Sequence, residues 1–148
     1  LHLDRLRARP MDFDPDVRDR LLAGAMIPAA WVQRAQKLRR WYREAVLRIF
    51  EHCDVILAPA TPCTAPLLGQ KTLELDGRTV PLRPSIGVLT QPISFIGLPV
   101  VAVPVWGAAE KLPIGVQVIA APWREDLALR VAAALEDRGV VQAPIAHA

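Results

Sequence analysis

The residues able to do chemistry are few. Serines occur only at Ser85 and Ser94, cysteines at Cys53 and Cys63, lysines at Lys37, Lys71 and Lys111, and histidines at His2, His52 and His147. Nucleophilic or general acid–base catalysis needs such groups within hydrogen-bond reach of one another. Ser85 lies in Pro84-Ser85-Ile86-Gly87 and Ser94 in Ile93-Ser94-Phe95, and neither is the Gly-x-Ser-x-Gly elbow that exposes a nucleophile on a sharp turn. Cys63, in Thr61-Pro62-Cys63-Thr64, follows the end of an expected strand, where α/β sites gather, but no histidine is placed beside it in sequence. His2 and His147 lie near the ends and His52 at a helix–strand junction, none beside another candidate ligand. There is no HExxH, no CxxC and no glycine-rich phosphate loop, so no motif announces a metal or a phosphate-bearing cofactor. Read residue by residue, the chain has a core and a pocket wall but no catalytic residues.

The elements that would position this wall are legible from pattern. Asp14 is placed to cap a helix with Pro15 in its first turn and Gly24 at its end. From about Pro28 to Glu51, Trp31, Ala35, Leu38, Tyr42, Ala45, Val46, Ile49 and Phe50 step by three and four, which is one face of a long helix. Cys53-Asp54-Val55-Ile56-Leu57-Ala58-Pro59 reads as a strand buried on both faces, followed by a loop stiffened by Pro59, Pro62 and Pro66. Thr72 to Val80 alternates around Asp76-Gly77 and predicts an exposed hairpin. Val100–Val105 and Gly115–Ala120 predict two more buried strands, whose short connection through Gly107, Lys111 and Pro113 favours an antiparallel pair. A last helix begins near Glu125 and ends at Gly139. Helices and strands interleave without internal repeats, which argues an α/β fold with a mixed β-sheet flanked by helices.

Composition narrows the function classes. The 148 residues are 52% hydrophobic and 22% charged, with a mean hydropathy of +0.23, which excludes disorder and fits one core. Net charge is +3, but residues 1–50 hold 11 Lys and Arg against 6 Asp and Glu, and the rest is near neutral. Arg34, Lys37, Arg39, Arg40, Arg43 and Arg48 spread around one helix rather than along a phosphate-tracking stripe, and aromatics are only 5%. A nucleic-acid partner is therefore not expected. Residues 84–109 are uncharged, yet four prolines interrupt them, so a buried turn, helix and strand is expected rather than a membrane span. Two cysteines ten residues apart, with no secretory signal, read as small buried hydrophobes in a reducing cytoplasm.

Four ordered blocks carry a family likeness: Asp54 to Pro62, Thr90 to Pro104, Leu112 to Ala120, and Glu125 to Ala132. Together they resemble the C-terminal portion of the amidase signature enzymes, over nearly the whole span from Asp12 to Leu135. Ala60-Thr61-Pro62-Cys63-Thr64-Ala65-Pro66 and Pro122-Trp123-Arg124-Glu125-Asp126 look most like the AtzE-type, carboxybiuret hydrolase group. The resemblance implies a hydrolase of C–N bonds in amides, ureas or biuret-like compounds, using a serine nucleophile, a second serine on a cis peptide and a lysine. The serine attacks the carbonyl, lysine and bridging serine relay its proton, and backbone N–H groups hold the oxyanion; the resemblance implies no metal or organic cofactor. The family's Gly-Ser-Ser segment and its upstream lysine have no matching positions here.

By this resemblance, residues 1–148 are the C-terminal region of an amidase signature domain whose N-terminal catalytic part is missing, in keeping with Leu1 in place of an initiator methionine. Such a piece completes the sheet and closes one side of the substrate cavity. Cys63, Thr90, Gln91 and Ser94 are the candidate substrate-binding residues, with Phe95 or Ile96 as the apolar wall. The expected partners are a small amide- or urea-type substrate, the missing N-terminal part and a small accessory subunit that no residue here announces. Two alternatives remain: the A-type subunit of a glutamyl-tRNA amidotransferase, and a non-catalytic binding or scaffold module that has kept the fold.

Overall fold

The structure is a computed structural model and describes residues 2–107 and 111–144. Leu1 and His147, singled out in the sequence, lie outside the described residues. The chain divides into two compact units, one up to Trp41 and one from Tyr42 onward.

The first unit is helical. Helix α1 (Leu3–Ala8) packs against α2 (Pro15–Ala25), and Leu6 is buried. Phe13, between them, meets the His2 ring edge-on and lies under the Arg5 guanidinium, 6.0 Å from the ring centre. Asp14 caps α2 as expected, its Oδ1 accepting from the Asp16 amide at 2.9 Å. Gly24 does not end the helix. The last turn continues through Ala25, with Met26 following in right-handed backbone, so no left-handed stop occurs there.

Helix α3 (Ala29–Leu47) runs from this unit into the second and tightens into a 3-10 turn over Arg48–Glu51. Its expected apolar face exists, but only its C-terminal end is covered. Val46 is buried and Tyr42 half-buried, whereas Trp31 and Leu38 are 63% and 57% exposed.

The core of the second unit is a three-stranded sheet in the order β1-β5-β4, formed by Val55–Pro59, Ile114–Ala120 and Val100–Val105. β4 and β5 pair antiparallel, as their short connection predicted; β1 also pairs antiparallel with β5, and no parallel pair occurs among the described residues. Alternation sends Val118 and Ala120 to one face and Gln117 and Ile119 to the other. On the first face, α6 (Glu125–Asp137) lies against β4 and β5, closing a cluster of Val103, Val118, Ala120, Ala128 and Val141. On the second, Val46 and Phe50 of the α3 end join Ile96 and Leu98 over Ile119 and Ile56.

Only the central strand is buried on both faces. Leu57 of β1 is 54% exposed and Val100 of β4 39%, because an edge strand has one neighbour and the α6 cover lies over β4 and β5. The hairpin β2 (Thr72–Leu75) and β3 (Arg78–Pro81) forms where Asp76-Gly77 predicted it, both turn residues having positive φ, +50° and +69°. Gly139, at φ +69°, ends α6: its amide bonds Glu136 O and the Val140 amide bonds Leu135 O, a left-handed helix stop.

The described part of the uncharged stretch, residues 84–107, forms a turn, a helix and a strand, with α4 (Leu82–Ser85) leading into the turn and α5 (Gln91–Ile96) following it, although much of it is exposed rather than buried. No helix among the described residues is long and apolar enough to cross a membrane. Both cysteines are free and half-buried rather than fully buried, since each lies in a connection beside β1 and not inside the sheet.

Candidate functional site

The candidate residues sit on two segments that meet beside β5. The first is the loop leaving β1. Proline ends the strand at Pro59, and the Ala60 amide bonds Gly115 O at 2.7 Å before the chain turns through Thr61 to Pro66. Thr61 donates its hydroxyl to Cys63 O at 2.7 Å, folding the loop on itself and leaving the half-buried thiol at its bend.

The second segment is the turn before α5. Gly87 O accepts from the amides of Thr90 (3.1 Å) and Gln91 (2.9 Å) and from Thr90 Oγ1 (3.2 Å), so Thr90's hydroxyl is satisfied within the turn. The Gln91 carboxamide folds back over Gly87, close enough that a Cβ placed there would be 3.1 Å from Nε2. Ser94 lies one turn along, its amide bonded to Thr90 O at 3.0 Å.

Along α5, Gln91, Ser94 and Phe95 are spaced i, i+3, i+4 and all three are exposed, while Ile96 is 1% exposed and packs into the core. Phe95, not Ile96, is therefore the apolar member of that face. A carboxamide, a hydroxyl and an aromatic edge on one surface can hydrogen-bond and shield a small polar molecule; none of them ionises near neutral pH. Among the described residues no three His, Cys, Asp or Glu side chains come together to hold a metal.

One residue joins the two segments. Gln117, in the middle of β5 and 2% exposed, donates Nε2 to Pro59 O at 2.8 Å and to Leu89 O at 3.2 Å. This brings the turn carrying Thr90 and Gln91 against the root of the loop carrying Cys63. Gln117 was missed in the sequence, although it is the single polar side chain in the apolar run Gly115–Ala120. None of the four candidates lines either of two surface cavities. One, about 330 Å³, lies between β4 and α6; the other, about 340 Å³, is bounded by Arg43, Leu98, Pro122 and Trp123. Arg43 there donates to Ile96 O, holding the end of α5.

At the start of α6 one carboxyl is displaced in its ionisation. The hydrogen bond from Arg124 Nε to Asp126 Oδ1, 3.1 Å long, holds the Asp126 carboxyl below its ordinary value against a smaller opposing effect of desolvation.

Comparison with known proteins gives these features a family. The chain is 50% identical over 143 residues to AtzE, the 1-carboxybiuret hydrolase subunit of Pseudomonas sp. (strain ADP), covering 96% of this chain and 31% of that protein. It is 35% identical over 135 residues to the A-type subunit of the glutamyl-tRNA(Gln) amidotransferase of Zymomonas mobilis, covering 88% and 26%. A solved inhibitor-bound structure, described as an unexpected vestigial protein complex that reveals the origins of an s-triazine catabolic enzyme, superposes with a TM-score of 0.91 at 48% identity, over 97% of this chain and 32% of that one. The chain thus spans about a quarter to a third of the length of these relatives. The family profile described as amidase matches residues 4–129, which takes in α1 through to the first turns of α6, and the chain belongs to the amidase family.

Proposed function

We propose that these 148 residues are the C-terminal region of an amidohydrolase that cleaves C–N bonds in amides, ureas or biuret-like compounds. The observation that carries this reading is the 50% identity to a carboxybiuret hydrolase over 96% of the chain. The serine nucleophile, the bridging serine and the lysine come from residues outside this sequence. What this chain supplies is the sheet and one wall, with Gln91, Ser94 and Phe95 on the open face of α5, Thr90 at its start, and Cys63 on the loop whose root Gln117 ties to the α5 turn. Gln91 offers a carboxamide donor and acceptor complementary to a urea or amide, Ser94 a hydroxyl, and Phe95 a surface that excludes water.

The similar structure described as a protein complex supports a further partner in the form of a small accessory subunit. The free, half-buried thiols fit a reducing, cytoplasmic setting. The tRNA amidotransferase reading rests on a weaker likeness, 35% against 50% identity.

The test is hydrolysis of biuret-type and simple amide substrates by the isolated chain and by the product of the reading frame extended upstream. The isolated chain is expected to be inactive and the longer protein to turn over substrate in a serine-dependent way. Serine-dependent turnover by the 148 residues alone overturns the proposal, as does ammonia transfer to tRNA-bound glutamate by the longer protein.

A further inference from the structure

We infer that Gln117 is a positioning residue: its single carboxamide nitrogen ties the loop that leaves β1 to the turn that starts α5 and so sets the spacing of the two segments. Among the described residues Gln117 is the one buried polar side chain. A carboxamide in an apolar strand is tolerated only if its hydrogen bonds are made inside the protein. Its NH2 carries two hydrogens, and the two acceptors within reach are Pro59 O at 2.8 Å and Leu89 O at 3.2 Å, 58 and 28 residues away in sequence.

The surroundings suit this use. Gln117 pairs across the sheet with Ala58 on β1 and Ala102 on β4, so small side chains flank it on its own face and leave the carboxamide room to reach sideways. The strand that bears it is the most rigidly held in the sheet, with a ladder on each side and buried positions from Gln117 to Ala120. Both bonds end on backbone carbonyls, so the tie fixes main chain rather than a mobile side chain. Leu89 immediately precedes Thr90 and Gln91, and Pro59 opens the loop that holds Cys63. A shift of either segment must break its hydrogen bond to Gln117 or draw the shared carboxamide away from the other segment. The consequence for substrate rests on the proposed function above; the tie itself does not.

The experiment is amide hydrogen exchange on the chain, with Gln117→Met, which keeps the shape and removes both donors, and with Gln117→Glu. In Gln117→Met the amides of Ala60, Val88, Thr90 and Gln91 should exchange about tenfold faster, while those of the β2–β3 hairpin and of Gly139 and Val140 stay within twofold. In Gln117→Glu, an ionised carboxylate faces two carbonyl oxygens, and protonation restores one O–H donor. Protection at the two segments should therefore return in part as pH falls, after correction for intrinsic rates, and no such return should occur in Gln117→Met. Acceleration at one segment only, equal acceleration everywhere, or no pH-dependent return in Gln117→Glu overturns the inference.

A measurement on the unsubstituted chain needs no variant to fold: both Nε2 hydrogens of Gln117 should exchange more slowly than those of the exposed Gln91, and equal rates overturn the tie. In the longer enzyme, Gln117→Met should raise KM about tenfold with kcat changed less than twofold. If exchange responds and KM does not, the assignment of these segments to the substrate fails while the tie stands; if exchange does not respond, the tie fails.

Discussion

Ile119→Ala isolates what the central strand contributes. The side chain is 1% exposed, faces Val46 and Ile96, and has Ile56 beside it on the neighbouring strand. The substitution removes three buried carbons, about 2.4 kcal/mol of transfer free energy at about 0.8 kcal/mol each. β5 is hydrogen-bonded on both sides and cannot slide to fill the gap, so a cavity term raises the expected loss to about 3–4 kcal/mol. Leu57→Ala also removes three carbons from the same sheet, but the side chain is 54% exposed on an edge strand, and its loss should be about 1 kcal/mol or less. Urea titration followed by circular dichroism measures both variants, and the midpoint should fall while the slope is unchanged. In thermal melts Ile119→Ala should lower Tm by on the order of 10 °C. Equal losses for the two variants would refute the claim that burial on both faces, and not apolar character, decides each strand residue's contribution.

Three further outcomes follow from the same structure. The isolated chain should self-associate as concentration rises, because β1 and β4 are open edges among the described residues and Trp31, Leu38, Trp41 and Leu57 are exposed; light scattering showing a monomer at every concentration would contradict this. Gly77→Ala should cost about 1 kcal/mol although nothing lies within 4 Å of the added Cβ, since φ is +69°; unchanged exchange protection in the hairpin would show that the turn had found another conformation. Arg124→Ala should raise the Asp126 titration midpoint seen by NMR, because the Arg124 hydrogen bond is the main cause of its depression below 3.8. A depressed folded-state value means that the carboxylate stabilises the fold above that ordinary value and loses this effect as pH falls through its lowered midpoint; an unmoved midpoint in the variant refutes the assignment.

The candidate site was legible in part. Gln91, Ser94 and Phe95 occupy one face of α5, as residues spaced three and four apart must, but Ile96 at the next position turns into the core. Thr90's hydroxyl is taken up locally by Gly87 O, a contact within one turn that sequence proximity permits but does not require. Gln117 could be noticed as an anomaly in an apolar run, yet its partners lie 58 and 28 residues away, and nothing local names them.

What the sequence determined by itself are the features governed by short-range physics. Asp14 caps α2 because a carboxylate reaches the next turn's amide; Asp76-Gly77 makes the hairpin because these residues accept positive φ; β4 and β5 run antiparallel because their connection is short. Four ordered blocks likewise sufficed to name the family. Tertiary structure alone decided which apolar residues became core. Trp31, Leu57 and Ile119 all fit apolar patterns, yet only Ile119 is enclosed, since burial depends on what covers a face and not on the face itself. The same holds for the meeting of the β1 loop with the α5 turn, which rests on two hydrogen bonds from the middle of a third strand.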